Sequence, residues 1–347
     1  MTVARGRAGA RLRVFLTLAV VLLVGGAVAA RLVQARRQGT YHERSGLAMG
    51  TFVTLRAAGP RAPAALEAAM AEIDRLDALF DYGRPQSDVG RLNAAAGAGP
   101  VTVQPDTVAV LVRALHYAQA SDGAFDPTIA PLVDLWGFRP EGPQAVPEET
   151  AIRDMLSLVD YRRLRVDAGA GTAELLDPGT RVDLGGIAKG FAVDRAAAVL
   201  REAGVESAII DIGGNIYCLG LKDRTNLWRV GLQHPRRTDA QFGVLRISDL
   251  GVATSGDYQR FFEAGGRRYH HVLDPRTGRP ASGLLAASVA APSAMDADAA
   301  STAAFVLGLE AGQRFLRQLG LEGVFYAEDG QVVVTGRLQP VFEAGPQ

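Results

Sequence analysis

The centre of the chain carries the stretch Asp183-Leu184-Gly185-Gly186-Ile187-Ala188-Lys189-Gly190, in which a predicted strand ends, two glycines turn the backbone and a predicted helix begins. Backbone N–H groups at the start of a helix attract phosphate, and glycine lets a ligand approach the backbone closely. The stretch matches neither G-x-x-x-x-G-K-[ST] nor G-x-G-x-x-G, so the common nucleotide-binding loops do not apply. By itself it leaves both an ordinary strand-to-helix turn and a phosphate site open.

On either side of this turn, hydrophobic periodicity predicts interspersed helices and strands. Because the strands cluster late in the chain and do not alternate regularly with helices, the pattern favours an α+β fold over a doubly wound sheet. Predicted helices cover 64–80, 107–120, 148–159, 187–202, 296–307 and 309–319. Predicted strands cover 51–55, 164–166, 173–176, 181–184, 208–212, 228–232, 243–247, 268–273, 284–290, 324–327 and 331–335.

Composition excludes several classes of protein. Of the 347 residues, 37 are Lys or Arg and 37 are Asp or Glu, so there is no electrostatic case for nucleic acid binding. Cys218 is the only cysteine, which excludes a disulfide framework and a cysteine-rich metal site. Lys189 and Lys222 are the only lysines, so a compact ammonium in the glycine-rich stretch stands out among the arginines.

The N-terminal segment is predicted to direct the chain to a membrane. Basic residues between Arg5 and Arg13 precede an uncharged run from Val14 to Ala30, about 17 residues long and near the short limit for crossing a bilayer. Ala27-Val28-Ala29 resembles a signal-peptide cleavage site, so residues 1–30 are either a cleaved signal or an uncleaved anchor. A buried core helix is the weaker alternative because arginines flank the run. Both membrane forms predict export to the periplasmic side of the inner membrane, with a basic linker at 31–44.

A second chemical motif is Met295-Asp296-Ala297-Asp298-Ala299-Ala300-Ser301-Thr302. On a helix, Asp298 and Thr302 are four residues apart, which puts a carboxylate and a hydroxyl on one face. Two oxygen ligands on a rigid face suit Mg²⁺, which completes its coordination with water and phosphate oxygens. Asp is also common in a first helical turn, so the motif alone leaves metal binding and helix capping open.

Two further segments combine polar and aromatic residues. In Tyr269-His270-His271-Val272-Leu273-Asp274-Pro275-Arg276-Thr277-Gly278 the paired histidines lack the further ligands that zinc needs, so we predict one facing inward and one outward on a strand. Gly123-Ala124-Phe125-Asp126-Pro127-Thr128 is followed by Leu135-Trp136-Gly137-Phe138. This pair of segments indicates a proline turn beside an aromatic core.

Each segment is weak alone, but their order along the chain is specific. The series also includes Leu47-Ala48-Met49-Gly50-Thr51, then Ser87-Asp88 with Leu92-Asn93, and Ile212-Gly213-Gly214-Asn215. Across roughly residues 45–340, this order resembles the ApbE family of FAD:protein FMN transferases.

The resemblance implies a fold and a reaction. Family members bind FAD between the lobes of a single α+β domain with mixed sheets and flanking helices, here residues 45–340. The implied reaction is Mg²⁺-dependent transfer of FMN from FAD to a Thr or Ser hydroxyl of an acceptor protein, which forms a phosphoester bond and releases AMP. The alternatives are an FAD pyrophosphatase, which releases free FMN and AMP, and a non-enzymatic FAD carrier.

The resemblance also implies roles for residues at matching positions. Contacts with FAD are implied for Met49, Tyr82, Ala124, Phe125, Asp126, Asp183, Lys189 and His271. Mg²⁺ ligands are implied for the side chains of Asp298 and Thr302 and for the carbonyl group of Gly186. Catalytic roles are expected for His271, Asp298 and Lys189, with His271 as the candidate base on chemical type.

Two features depart from the family pattern. The family often has Ser-Thr-Tyr-Arg-Pro where this chain has Phe80-Asp81-Tyr82-Gly83-Arg84-Pro85, with the additional Gly83. Many relatives carry a lipobox cysteine, which is absent here. Family analogy points to a redox protein as acceptor, such as a subunit of a sodium-pumping quinone reductase or of an Rnf-type complex.

Overall fold

The computed structural model describes residues 40–345 apart from 140, 141, 143 and 224. The predicted signal or anchor (1–30) and the linker up to residue 39 lie outside the described residues. Within them, no helix is both long and apolar enough to cross a membrane. The first strand begins at Tyr41, four residues before the predicted domain boundary at 45, and the last strand ends at Ala344, beyond the predicted end at 340.

The described residues form helices and strands that are interspersed along the chain. The helices are α1 (Ala62–Phe80), α2 (Asp88–Ala94), α3 (Pro105–Ala120), α4 (Ala130–Leu135), α5 (Glu149–Leu156), α6 (Ala188–Glu202) and α7 (Ala294–Gln318). The strands are β1 (Tyr41–Ala48), β2 (Thr51–Ala58), β3 (Val101–Thr102), β4 (Leu164–Asp167), β5 (Thr172–Leu175), β6 (Ala208–Ile212), β7 (Asn215–Leu219), β8 (Trp228–Gln233), β9 (Gln241–Ile247), β10 (Leu250–Gly256), β11 (Phe261–Ala264), β12 (Arg267–His270), β13 (Leu273–Asp274), β14 (Arg279–Pro280), β15 (Leu284–Ala291), β16 (Glu322–Ala327), β17 (Val332–Val334) and β18 (Phe342–Ala344).

An eight-stranded sheet in the order β1-β2-β6-β7-β10-β15-β16-β17 forms the centre of the protein. Each strand runs antiparallel to its neighbours. In β2, Val53, Leu55 and Ala57 are fully buried while the residues between them are more exposed, which is the period of two expected for a strand. Further sheets have the orders β18-β9-β8, β3-β5-β4, β11-β12 and β13-β14.

Helices α1, α6 and α7 pack together against the central sheet. Small buried residues in α6, such as Ala192 and Ala196, let it lie close to its neighbours. The first turns of α6 and α7 approach so closely that there is no room for a side chain at Gly190. A Cβ there would lie 2.3 Å from the carbonyl oxygen of Ala294. This close approach brings residues 188–190 beside residues 295–302.

A second hydrophobic cluster lies between β8 and β9 and the central sheet, around Trp228, Leu245 and Val252. A third cluster is aromatic and contains Trp136, with Phe138 and Tyr269 at ring-centroid distances of 6.4 and 5.6 Å. The presence of this cluster confirms the aromatic core predicted downstream of the proline turn.

The predicted α+β class and the flanking helices are confirmed, but the prediction of mixed sheets was wrong, because all paired strands of the described residues run antiparallel. Residues 181–184 form no regular strand, because the side chain of Asn93 takes over the hydrogen bonds of Val182: Nδ2 donates to the Val182 carbonyl at 2.9 Å, and Oδ1 accepts from the Val182 N–H at 2.7 Å. The predicted break between helices 296–307 and 309–319 is present inside α7, where Gly308 has φ 77°.

Candidate active site

The glycine-rich stretch forms a compact turn at the start of α6. The N–H of Gly185 donates to Oδ1 of Asp183 at 2.7 Å, and Nζ of Lys189 donates to the carbonyl oxygen of Gly185 at 2.6 Å. Nζ of Lys189 also lies 3.9 Å from Oδ2 of Asp298 in α7. The lysine therefore joins the turn to the acidic motif, although the two are far apart in sequence.

Asp298 is a nearly buried carboxylate, with 4% of its surface exposed. Its Oδ2 accepts from the backbone N–H of Gly190 at 3.0 Å. Burial raises the pKa of Asp298, while the positive charge of Lys189 and this hydrogen bond act in the opposite direction. Helix capping does not explain this carboxylate, because it contacts the first turn of α6 rather than its own helix.

Thr302 lies one turn further along α7, as its spacing predicts. Its hydroxyl shares a hydrogen bond with the hydroxyl of Ser255 in β10 at 3.2 Å. A Cβ on Gly186 would lie 3.4 Å from Oγ1 of Thr302 and 3.0 Å from the ring of Phe125. Gly186, Phe125 and Thr302 therefore meet at a point where little space is left for a larger residue than glycine.

The donor set around Gly186 fits Mg²⁺ by its chemistry. Asp298 offers a carboxylate, Thr302 a hydroxyl and Gly186 a carbonyl, and Mg²⁺ commonly binds through one or two protein carboxylates plus water and phosphate oxygens. The part of the chain that the structure describes has no group of three or more His, Cys, Asp or Glu side chains suited to a metal. A site here would therefore depend on substrate oxygens for much of its coordination.

His271 follows β12 and is held by the backbone of Arg260. The carbonyl oxygen of Arg260 accepts from the His271 N–H at 3.0 Å and lies 3.2 Å from its Nδ1. A carbonyl can only accept, so Nδ1 carries the proton and Nε2 keeps a lone pair. Burial, together with the charges of Arg260 and Lys189, lowers the pKa of His271 to about 3. The ring is therefore neutral at physiological pH.

The neighbouring His270 is the more buried of the pair, with 5% exposed, and its Nε2 donates to the carbonyl oxygen of Ala281 at 2.9 Å. The two histidines thus have different surroundings, and His270 packs edge-on against the ring of Phe305 at 5.5 Å. Burial lowers the pKa of His270 as well.

Tyr82 belongs to a charged cluster that the sequence motifs only partly include. Its hydroxyl donates to Oδ1 of Asp134 at 3.0 Å, and the guanidinium of Arg139 lies 4.3 Å from its ring centroid. Arg181 pairs with the other oxygen of Asp134 at 2.7 Å. Burial raises the pKa of Tyr82, as do the negative charges of Asp183 and Asp134. The cluster therefore borders the glycine turn.

The segment from Ala124 to Asp126 is mainly held by its own chain. Asp126 accepts from the N–H and hydroxyl of Thr128 at 2.8 and 2.6 Å, and from the N–H of Tyr161 at 2.9 Å. Burial raises the pKa of Asp126 to about 6, although the hydrogen bonds from these donors act to lower it. Ala124 is buried. Within this segment, it is the ring of Phe125 that lies against Gly186.

Met49 and Gly50 form the two-residue turn between β1 and β2, with φ values of 52° and 68°. Both central residues of such a hairpin turn have positive φ, a conformation that costs energy for methionine. Arg260 holds this turn, because its Nη2 donates to the carbonyl oxygen of Gly50 at 3.3 Å. Arg260 contacts both this turn and His271, and it therefore places the turn and the histidine at the same site.

The structure thus brings together Met49, Tyr82, Phe125 and the stretch 183–190 with His271, Asp298 and Thr302. Sequence patterns missed three contributors, namely Asp134, Ser255 and Arg260. No local pattern predicts them, since each acts through a contact with a residue distant in sequence.

Comparisons with known proteins agree with this architecture. The sequence profile of the ApbE family matches residues 49–325. An FAD:protein FMN transferase of Treponema pallidum is 37% identical over 311 residues, covering 84% of this chain and 86% of that protein. The ApbE protein of Thermotoga maritima superposes with a TM-score of 0.82 at 31% identity, over 87% of this chain and 99% of that one. The flavin transferase ApbE of Vibrio cholerae gives a TM-score of 0.79 at 28% identity, with the same coverage.

The central antiparallel sheet with its helices, and the cations gathered at a glycine turn, define an α+β protein with a site suited to phosphate groups. The extent of the sequence match and the shared fold narrow this class. The chain belongs to the ApbE family.

Proposed function

We propose that the protein transfers the FMN portion of FAD to a Thr or Ser hydroxyl of an acceptor protein, with release of AMP. Family membership supports the reaction, and one observation in the site carries it. The ammonium of Lys189 lies between the Gly185 carbonyl and the buried carboxylate of Asp298, at 2.6 and 3.9 Å. A cation at the start of a helix beside a buried carboxylate suits a pyrophosphate bound together with a divalent metal.

Asp298, Thr302 and the carbonyl of Gly186 are the groups that would hold Mg²⁺. When bound, Mg²⁺ supplies positive charge that offsets the charge of phosphate oxygens. Lys189 adds a point charge beside Asp298, and the amides at the start of α6 offer hydrogen bonds to the same oxygens. Phe125 closes the space beside Gly186 and restricts where the substrate can lie.

His271 is the candidate general base. Nε2 would take the proton of the acceptor hydroxyl while that oxygen bonds to the phosphorus on the FMN side and the bond from this phosphorus to the AMP oxygen breaks. A pKa of about 3 makes the free imidazole a weak base. Because cations contribute to this lowering, the negative charge of bound pyrophosphate would raise the pKa towards a more useful value.

The acceptor and the location are further parts of the proposal. We infer an exported protein facing the periplasm, held at the inner membrane if residues 1–30 are not cleaved, and acting on a flavin-dependent redox protein such as a quinone reductase or Rnf-type subunit. Family analogy and the arginine-flanked apolar run support this part.

The test uses the full chain with FAD, Mg²⁺ and a candidate acceptor domain. Flavin fluorescence on the denatured acceptor, together with released AMP, would support transfer, and both signals should disappear with excess EDTA. Free FMN and AMP with a dark acceptor would instead indicate a pyrophosphatase or an unsuitable acceptor. Intact bound FAD under all conditions would leave only a carrier.

Replacement of Asp298 by Asn tests the metal ligands. We expect AMP release to fall by at least roughly 100-fold, since the substitution removes the only carboxylate of the proposed site. The matched control is Asp296→Asn, on the same helix but paired with Arg113 at 2.6 Å. Comparable losses in both variants would count against a metal role for Asp298.

A further inference from the structure

Arg260 connects two parts of the site from a position outside every sequence motif. It lies in the turn between β10 and β11. Its guanidinium donates to the Gly50 carbonyl at 3.3 Å, and a Cβ on Gly50 would lie 3.3 Å from the same nitrogen. Its own carbonyl oxygen holds the Nδ1–H of His271 at 3.2 Å. One residue therefore sets the distance between the Met49–Gly50 turn and the imidazole.

The turn that carries Arg260 is fixed from two sides. The carboxylate of Asp257 accepts from both terminal nitrogens of Arg236, at 2.8 and 2.6 Å. The N–H of Asp257 also donates to the carbonyl oxygen of Leu285 at 3.2 Å. A guanidinium presented from such a fixed turn loses little conformational freedom when a ligand binds.

The positive charge of Arg260 acts on the site without being paired. Among the residues that the structure describes, Arg260 forms no ion pair with a carboxylate, and its side-chain hydrogen bond goes to a neutral carbonyl. Burial raises the pKa of Asp183 and lowers that of His271, and the charge of Arg260, like that of Lys189, acts to lower both pKa values. Two cations, Arg260 and Lys189, therefore act electrostatically on both Asp183 and His271.

We propose that the guanidinium of Arg260 binds a phosphate oxygen of the dinucleotide and, with Lys189, holds the pyrophosphate between them. This inference rests on the proposed function. The planar guanidinium offers several N–H donors in a geometry that matches phosphate oxygens, and the hydrogen bond to Gly50 uses only one terminal nitrogen. The backbone carbonyl of Arg260 also holds His271. Arg260 would therefore position both the phosphate and the candidate base.

The experiment separates the side chain from the backbone. Arg260→Gln removes the charge but keeps a donor for the Gly50 carbonyl. Arg260→Lys keeps the charge but loses the planar set of N–H donors of the guanidinium. Neither change touches the backbone carbonyl that holds His271. The matched control is Arg267→Gln, which removes one exposed positive charge from the β11–β12 hairpin. Equilibrium binding of FAD is measured for the full chain, together with KM and kcat for AMP release.

We expect Arg260→Gln to weaken FAD binding by roughly 10- to 100-fold, the usual effect of losing a charged hydrogen bond, with the larger change in KM. Arg260→Lys should recover part of the affinity, and Arg267→Gln should bind as the unmodified protein does. Binding within about threefold of normal for Arg260→Gln would overturn the proposal, as would equal weakening by Gln and Lys. Failure of the unmodified protein to bind FAD would instead overturn the proposed function.

Discussion

At the scale of single residues, the surroundings of His271 determine both the tautomer and the charge of its ring. Its Nδ1–H is held by the carbonyl of Arg260, and the lowered pKa keeps the ring neutral. The ring thus presents a lone pair at Nε2 over the whole physiological range of pH. A base in this state needs no deprotonation before the reaction, and its weakness in the free protein is offset only when negative charge arrives with the substrate.

The lowered pKa of His271 predicts a specific dependence of stability on pH. The folded-state value of about 3 lies below the value of about 6.5 expected in an unfolded chain, so the unfolded protein binds a proton first as the pH falls. The stability contribution of the neutral ring is complete above about pH 6.5 and is lost as the pH falls towards 3. His271→Gln should therefore lose less stability than the unmodified protein between about pH 7 and pH 4.

Urea unfolding at several pH values checks this prediction, and a titration of the imidazole by NMR supports it directly. An imidazole that titrates with a midpoint near 6.5 in the folded, FAD-free protein would contradict it. His116→Gln is a suitable control, because that histidine is exposed on α3 and belongs to none of the segments that form the site.

At the scale of elements, the turn between β10 and β11 positions several parts of the site. It carries Arg260 and is held by the ion pair between Arg236 and Asp257, which we call the clamp. Asp257 is a buried residue, with 7% of its surface exposed. The N–H of Asp257 also donates to the carbonyl oxygen of Leu285 at 3.2 Å. The clamp and this hydrogen bond therefore connect the loop after β8 and the start of β15 to the turn that holds His271.

Asp257→Asn should loosen this clamp. We expect a loss of about 1–2 kcal/mol in the free energy of unfolding, less than for a fully buried ion pair because Arg236 is partly exposed. Because Arg260 and His271 depend on the turn, kcat should also fall by roughly tenfold or more. Glu263→Gln, which breaks an exposed pair with Arg268 on the neighbouring hairpin, is the control. A loss of stability with normal kcat would show that the clamp is only structural.

At the scale of the whole molecule, the site draws on segments from both ends of the described chain. The β1–β2 turn, the start of α6, the residues after β12 and the first turns of α7 meet only after folding. A ligand that contacts all of them binds the folded state and not the unfolded chain. Its binding therefore stabilises the folded state by an amount that grows with the ligand concentration relative to Kd.

Thermal unfolding should detect this coupling. At 100 times its Kd, FAD should add about 2.7 kcal/mol to the free energy of unfolding and raise Tm by several degrees. EDTA should reduce the shift, since under the proposed function Asp298 and Thr302 would hold Mg²⁺, whose positive charge would favour phosphate binding. AMP, which has one phosphate and no flavin, should give a smaller shift. An unchanged Tm with saturating FAD would contradict a site that spans these segments.

Much of the fold was predictable because its signals are local. The periodicity of α1 and the break at Gly308 follow from residues that are close in sequence. The first strand was missed, since its basic and polar residues, such as His42 and Arg44, indicate a linker when taken alone. The strand predicted at 181–184 was wrong because the side chain of Asn93 in α2 binds both backbone groups of Val182, and the N–H of Asp183 donates to the Pro127 carbonyl.

The sequence by itself determined the α+β class, the family and the shared helical face of Asp298 and Thr302, because helical spacing and motif order are properties of the linear chain. Only the tertiary structure decided that Lys189 lies between Gly185 and Asp298, and that Arg260 fixes the tautomer of His271. It also decided the pKa directions, because desolvation and the nearness of charges depend on which distant segments pack together.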